Sequence, residues 1–373
     1  MTYTVRRLSE KEFFGLQESW DHLLEQSNAD PLFMSWAWQA SWWETWGDRL
    51  NLDLLLLGVY APGDTLVGLA PLYLSAVSTP LGWKVRRLHV VGNAWKLGPT
   101  VRTEYVGVIV DRREQLAILQ ALGSYLAEVR WDEMIIADAS ARSMSMIESG
   151  LSQTLALSRV VRSESEGVVI PTQGQFTDWL SRLGKNTRLK AYNRRELFEG
   201  TLNGSFEEWQ TPETFLALLN RFHCERWGKP CFDDNAVRFH EALLNRLSGS
   251  QSARMSVLRA DNQIVSVLYD VRAGNRVYNL QAGFMQDFHN KLSLGTLHLG
   301  YAIERSFQDS SIVSYDLLAG SGKNTFYKQH FRGEQVLFTT VEYVRSPILK
   351  MAYGARGCMP PRLVSSINRF FRL

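Results

Sequence analysis

Between Arg254 and Val344 the chain sets apolar runs and turns around one long amphipathic segment, and that order admits few folds. Two strand-like runs joined by a polar turn open the stretch, ARMSVLRADNQIVSVLYDV, and a third follows, RVYNLQAGF. The centre is His289–Arg305, HNKLSLGTLHLGYAIER, where small residues lead into a helix carrying Leu297, Leu299, Tyr301 and Ile303. Beyond it stand SIVSYDLLAG and NTFYKQHFRG. Strand, small-residue loop, helix, strand, helix is the layout that sets backbone N–H groups and a helix N-terminus against an anionic ligand.

The rest of the chain repeats this grammar loosely. Ser9–Gln26 places Phe13, Leu16, Trp20, Leu23 and Leu24 at three- and four-residue intervals and so predicts a helix. Met34–Trp46 predicts an aromatic helix stopped by Gly47. Strands are expected at Leu52–Tyr60, Leu66–Val77, Trp83–Val91, Tyr105–Val110 and Glu133–Ala137, with helices at Arg113–Arg130 and Met144–Leu157. Val160–Ile170 reads as extended. A basic helix, Gln175–Leu197, then opens a second half, and helices Pro212–Trp227 and Asp234–Leu247 follow around the turn Gly228-Lys229-Pro230. LDLLLLGVYAPGDTLVGLAPLYL and ARMSVLRADNQIVSVLYDVR share one pattern of apolar strand, turn with Asp and second strand, each after helices carrying Trp. This likeness is at domain scale, so no solenoid is implied. A chain of 373 residues also exceeds what one core serves. The expectation is a mixed α/β fold of two similar units in tandem, a pseudo-twofold repeat over 1–170 and 171–346, followed by a basic tail, 347–373.

Composition narrows the functional classes. A hydrophobic fraction of 45% and a charged fraction of 21% are those of a globular protein. The 12 Trp crowd early, at Trp20, Trp36, Trp38, Trp42, Trp43 and Trp46, and predict a core of large rings. A net charge of +3 is too mild to argue for nucleic acid. Cys224, Cys231 and Cys358 form no CxxC pair and lack metal-ligand spacing, which fits reduced thiols in a cytoplasm and no metal. MTYTVRRLSEKEFF has no apolar core of a signal peptide. The longest apolar run, Leu54–Tyr60, is far short of the roughly 20 residues a spanning helix needs. In the tail, Lys350, Arg356, Arg362, Arg369 and Arg372 face no acidic residue and mix with Ile367, Phe370, Phe371 and Leu373. Such an end either docks on its own domain or rests peripherally on the anionic inner face of a membrane.

Three groups of residues could carry chemistry. Ser293, Gly295 and Thr296 open the central helix; Gly295 lets a phosphate approach the backbone, and Lys291 adds a positive charge. The bland reading is a simple helix cap. Asp316 ends a strand just before Gly320, at the edge where ligands gather in open α/β sheets; it is either a general base or a brace for the following loop. In NTFYKQHF, Tyr327 could protonate a departing thiolate and Lys328 could offset developing charge. Arg182, Lys185, Arg188, Lys190, Arg194 and Arg195 form a basic stretch, with Arg188 and Arg195 as contacts for a phosphorylated acceptor; the alternative is a solvated helix face.

SLGTLHLGYAIERSF, YDLLAGSGKNTFYKQHF and the preceding hairpin resemble the C-terminal half of GNAT-type acyltransferases, nearest the CelD-like branch of cellulose and exopolysaccharide biosynthesis, itself similar to the Fem peptidyltransferases. WDHLLEQSNADPLFMSWAWQASWWETWG and LVGLAPLYL resemble the same branch in the N-terminal half. The resemblance implies acetyl-CoA or another acyl-CoA as co-substrate, its diphosphate at Lys291, Ser293, Gly295 and Thr296, with Asn324 and Tyr327 matching the family's last-helix spacing. Where the family carries a second small residue, this chain has His298. The implied reaction is direct transfer to an amine or hydroxyl of a saccharide or cell-surface polymer precursor. A backbone N–H within Tyr278–Gly283 would polarise the thioester, and Asp316 or water would take the proton. Two other functions fit the same resemblance: a Fem-like transfer from aminoacyl-tRNA, against which stands the lack of aromatic stripes beside the Arg residues, and a non-catalytic scaffold of polysaccharide assembly.

Overall fold

The computed structural model describes residues 3–79, 82–151, 155–320 and 327–356. The chain divides into two compact units: residues up to Glu164 together with Phe338 onward, and Ser165–Leu337. The first contains β1 (Thr4–Leu8), α1 (Glu10–Phe14), α2 (Gln17–Gln26), α3 (Trp36–Trp46), β2 (Asp53–Ala61), β3 (Thr65–Ser78), β4 (Lys84–Val90), β5 (Ile109–Val110), α4 (Gln115–Glu128), β6 (Glu133–Ser140) and α5 (Ala141–Leu151). Strand β7 (Ser158–Pro171) leads into the second, which holds α6 (Phe176–Arg182), α7 (Lys185–Arg188), a π-helical turn at Leu189–Asn193, α8 (Arg195–Thr201), β8 (Gly204–Glu208), α9 (Pro212–Trp227), α10 (Asp234–Arg246), β9 (Gln251–Ala260), β10 (Gln263–Ala273), β11 (Arg276–Phe284), α11 (Leu294–Gln308) and β12 (Ser314–Ala319). Strand β13 (Glu334–Val344) and helix α12 (Pro347–Arg356) end the described chain.

Both units build one mixed-sheet topology. The first runs β1-β2-β3-β4-β6-β13 and the second β8-β9-β10-β11-β12-β7. In each, the fourth and fifth strands are parallel and the other neighbours antiparallel. Parallel neighbours need a crossover, and α4 and α11 supply it. The sixth strands are exchanged: β7, which follows the first unit in sequence, pairs with β12, and β13, which follows the second, pairs with β6. A division by sequence order, at 170 and 346, therefore differs from the division by contacts, which starts the second unit at Ser165 and returns β13 to the first from Phe338.

Packing follows the apolar patterning. Nine of the eleven residues of α3 are buried, and Trp20, Trp38, Trp42 and Trp46 are among the largest fully buried side chains. The expected Ser9–Gln26 helix is two helices parted at Gly15; Ser9 caps the first, accepting from the Glu12 N–H while the Glu12 carboxylate accepts from the Ser9 N–H. The expected Gln175–Leu197 helix stops at Leu183 and Gly184, both extended (ψ 144° and 147°), and restarts with a π turn. Tyr105 takes a left-handed φ of 53°, so strand forms only at Ile109–Val110 rather than from Tyr105. Strands β1 and β8, TVRRL and GSFEE, lack an alternating apolar face and carry no sequence signal; both lie at sheet edges.

Candidate functional site

The second unit has a gap in its sheet. β11 and β12 pair for three residues only, Arg276↔Ser314 to Tyr278↔Asp316, while β11 continues beside β10 to Phe284. A bulge helps: Tyr269 faces Gln281 and Asp270 faces Asn279, leaving Leu280 as the extra residue that bends the strand. Past Tyr278, one edge of β11 thus has no strand partner among the described residues. Ala282 lies in this stretch. Its N–H donates to Gln281 Oε1 at 3.0 Å, and its carbonyl accepts from His223 Nε2 at 2.9 Å.

Helix α9 packs on this edge so closely that a Cβ on Gly283 would stand 3.1 Å from Leu219 Cδ1 and Phe222 Cβ. Its last turn carries His223, whose ring lies 4.6 Å from that of Trp227. The Arg226 guanidinium sits over Trp227 at 4.4 Å and over Phe284 at 4.6 Å. Phe284 in turn meets the start of α11: a Cβ on Gly295 would come within 2.7 Å of its Cε1.

The amino end of α11 has no side-chain cap. The Leu294, Gly295 and Thr296 N–H groups make no hydrogen bond to any described residue, the condition under which a helix start holds an anion. Ser293 and Thr296 hydroxyls pair with each other at 3.1 Å, and Lys291 is exposed two residues before Ser293. The fold thus gathers Lys291, Ser293, Gly295 and Thr296 at one helix end. Gly295 has a packing role as well, since its Cα side is filled by Phe284.

The remaining expected residues divide. Asp316 is fully buried; its Oδ1 accepts the Leu318 N–H at 2.8 Å and its Oδ2 lies 3.4 Å from Arg276 Nη1. It braces the turn where Leu318 adopts φ 58°, the second of the two roles considered for it. Lys328 Nζ donates to the carbonyls of Leu317, Leu318 and Ala319 at 2.5, 3.2 and 2.9 Å. All three ammonium protons clamp the end of β12, which leaves none for an acyl or phosphate oxygen. Tyr327 is 37% exposed and burial of its phenol raises its pKa, so it keeps its proton at neutral pH. Asn324 lies outside the described residues, as does the tail from residue 357. Arg195 pairs with Glu304 and stacks against Tyr192 and Tyr301 at 4.7 and 3.9 Å, tying α8 to α11. Arg188 is half-buried, and the π turn between it and Arg195 breaks the seven-residue spacing of a regular helix.

His298, unusual for its place, is fully buried between Ser256 Oγ at 3.0 Å and Ser266 Oγ at 2.9 Å, and burial pulls its pKa down to about 3. It is a neutral bracket from helix to sheet. Gly300 serves the same helix: a Cβ there would stand 2.0 Å from the Ala191 carbonyl oxygen of the π turn.

Residues 185–329 match the acetyltransferase (GNAT) domain family. No curated protein matches the sequence at a significant level. Among solved structures, FemX is similar over 90% of this chain and 96% of its own, at 12% identity and a TM-score of 0.59. L-PGS from Bacillus licheniformis is similar over 93% and 96%, at 11% identity and a TM-score of 0.50. A conserved protein of unknown function from Bacteroides thetaiotaomicron VPI-5482 is similar over 92% and 100%, at 11% identity and a TM-score of 0.52. At such identities the likeness is one of fold. The family match starts in α7 and spans the β11–β12 gap and the α11 start. No helix among the described residues is long and apolar enough to cross a membrane.

Sequence reasoning missed His223. A lone His on an amphipathic helix gives no signal of its own. Only the packing of α9 on the unpaired edge of β11 brings it to the site.

Proposed function

We propose that the second unit transfers an acyl group, acetyl in the first instance, from coenzyme A to an amine or hydroxyl of a saccharide or cell-surface polymer precursor. The observation that carries this reading is the early end of the β11–β12 ladder beside an uncapped α11, within the stretch that matches the GNAT acetyltransferase family. The free N–H groups of Leu294, Gly295 and Thr296, with Lys291, hold the diphosphate. The gap holds the thioester arm along β11, and the Ala282 N–H, released from Gln281, polarises the thioester carbonyl. Attack is direct, within a ternary complex, and positioning supplies much of the rate. Tyr327, protonated at neutral pH, gives its proton to the departing thiolate. The acceptor enters from the α9 side, past Trp227, which is 52% exposed.

Calorimetric titration with acetyl-CoA tests the reading, and micromolar binding is expected. Tyr327→Phe should lower turnover of acetyl-CoA by about 100-fold and leave that affinity nearly unchanged. Binding of tRNA in place of acetyl-CoA would favour aminoacyl transfer, for which the exposed Lys185 and Lys190 are the supporting feature. Binding of neither would leave a scaffold role.

A further inference from the structure

The reaction needs a group to take the acceptor's proton, and Asp316 is sealed. We propose that His223 is the general base, receiving that proton on Nδ1 while Nε2–H holds the Ala282 carbonyl. The proposal rests on the acyl-CoA reading above and names the residue that the reading lacks.

Three observations support it. A carbonyl oxygen only accepts, so the 2.9 Å contact to Ala282 fixes the proton on Nε2 and leaves Nδ1 with its lone pair. Nδ1 has no hydrogen-bond partner among the described residues and is not shut off from solvent. The ring is bonded to the residue whose N–H faces the sheet gap, so the base and the carbonyl-polarising amide are held together. The other buried histidines of this unit lack that freedom: His298 has both nitrogens engaged, and His240 is enclosed by Phe232, Phe239 and Tyr269.

Burial pulls the His223 pKa below its ordinary range; the Ala282 carbonyl opposes this, and Arg226 on the same helix adds to it. From β11 the ring meets uncharged groups, the Ala282 carbonyl and beside it Gln281, and the Trp227 ring lies 4.6 Å away, tilted by 44°. The neutral, proton-accepting form therefore prevails at pH 7. Gln281 completes the picture. Its Oε1 accepts the Ala282 N–H where a thioester oxygen would stand, so it must turn aside when the donor arrives.

The step balances. A bond forms between the acceptor heteroatom and the thioester carbon, and the carbon–sulfur bond breaks with its electron pair leaving on sulfur. The acceptor's proton passes to His223 Nδ1, Tyr327 protonates the thiolate, and both side chains return to their starting states by exchange with solvent.

The test uses the full chain with acetyl-CoA and glucosamine, or water as acceptor, following thiol release. His223→Gln keeps an N–H for the Ala282 carbonyl but has no basic nitrogen. It should lower kcat by about 100-fold, leave acetyl-CoA affinity within about twofold, and remove the acid limb of the pH profile, which in the native protein should fall below the usual histidine range. Added imidazole should restore part of the turnover of His223→Gly. Retained acetyl-CoA binding with unchanged His223→Gln turnover would overturn this proposal alone; no binding by the native protein would overturn the acyl-CoA reading and this proposal with it. A readout free of any acceptor is the 15N shift of the ring, expected to show the Nε2–H tautomer. An Nδ1–H tautomer would sink the assignment whatever the kinetics.

Discussion

The two units share one strand order but treat its central opening in opposite ways. In each, the fourth and fifth strands pair for three residues and then part. In the second unit the opening stays lined by peptide groups of β11, by His223 and by a helix start without a cap. In the first it is filled. Thr103, Glu104, Tyr105 and Val106 are all buried; Thr103 lies 2.9 Å from where a Cβ on Gly92, just past β4, would stand, Arg102 pairs with Asp138 of β6 at 2.6 Å, and Trp38 Nε1 donates to Thr103 Oγ1 at 2.9 Å. Neither crossover helix has a side-chain cap, and the two differ in the charge at their starts. Ahead of α4 stand Asp111 and Glu114, and the Asp111 carboxylate accepts the Arg113 N–H at 2.9 Å, whereas no carboxylate stands at Ser293–Thr296. One topology thus has its central opening closed in one unit and open in the other, and the difference lies in loop and helix-start residues rather than in the sheet.

The largest test of this contrast concerns the closed half. Arg87 and Glu133, paired side by side on β4 and β6, are almost wholly buried, and Glu133 also accepts from Tyr353. Arg87→Met leaves a buried carboxylate without its cation, with the Tyr353 hydroxyl still donating to it, and should cost about 3–5 kcal/mol, read as a fall in urea midpoint. The analogous Arg276→Met in the open half should cost about 1 kcal/mol, because Asp316 keeps the Leu318 N–H and Arg276 is already part-exposed. Equal costs would mean that both halves are sealed alike.

Next comes a pH effect that belongs to the open half. Asp270 lies under α11, bonded to Asn279 Nδ2 and the Tyr315 hydroxyl, both at 2.7 Å. Burial lifts its pKa from 3.8 to about 7, against the opposing pull of Asn279, Tyr315 and Arg254. Between those two values the folded chain holds a proton that the unfolded chain has lost. Stability should therefore fall as pH rises from about 4 to about 7 and level off above that, by an amount on the order of a few kcal/mol. Asp270→Asn should flatten that slope in melting scans across pH. A slope that persists in the variant would remove Asp270 as its source.

Much of the architecture was legible because it rests on periodicity. The central hairpin, the α11 helix and the Trp-rich core all follow from apolar spacing that tertiary packing reinforces. The helix start was legible because backbone chemistry decides it: Ser293, Gly295 and Thr296 open α11 by local rules. The partners of Asp316, Lys328 and Arg195 were not legible, because a charged side chain in sequence carries no record of what it will meet; in the fold Asp316 accepts the Leu318 N–H, Lys328 donates to three carbonyls and Arg195 pairs with Glu304. His223 was invisible for the converse reason, since its value comes from a strand edge almost sixty residues away. The exchange of β7 and β13 was equally hidden, because nothing in a strand's own residues states which sheet it joins.

The smallest effect sharpens the comparison most directly, because it moves one charge at each crossover helix. Thr296→Glu puts a carboxylate at the open helix start, as Asp111 and Glu114 already do at the closed one. It should weaken acetyl-CoA binding by about tenfold or more, roughly 1.4 kcal/mol, while stability shifts by less than about 0.5 kcal/mol, since Thr296 is only part-buried and an acid in a first helical turn is favourable to the helix itself. Glu114→Gln, the mirror change, should leave acetyl-CoA affinity where it was, because Asp111 and the filled opening still exclude a diphosphate from α4. Calorimetry on both variants separates the halves: if Glu114→Gln alters the affinity and Thr296→Glu does not, the ligand-holding role belongs to the first unit and the contrast drawn between the two openings is inverted.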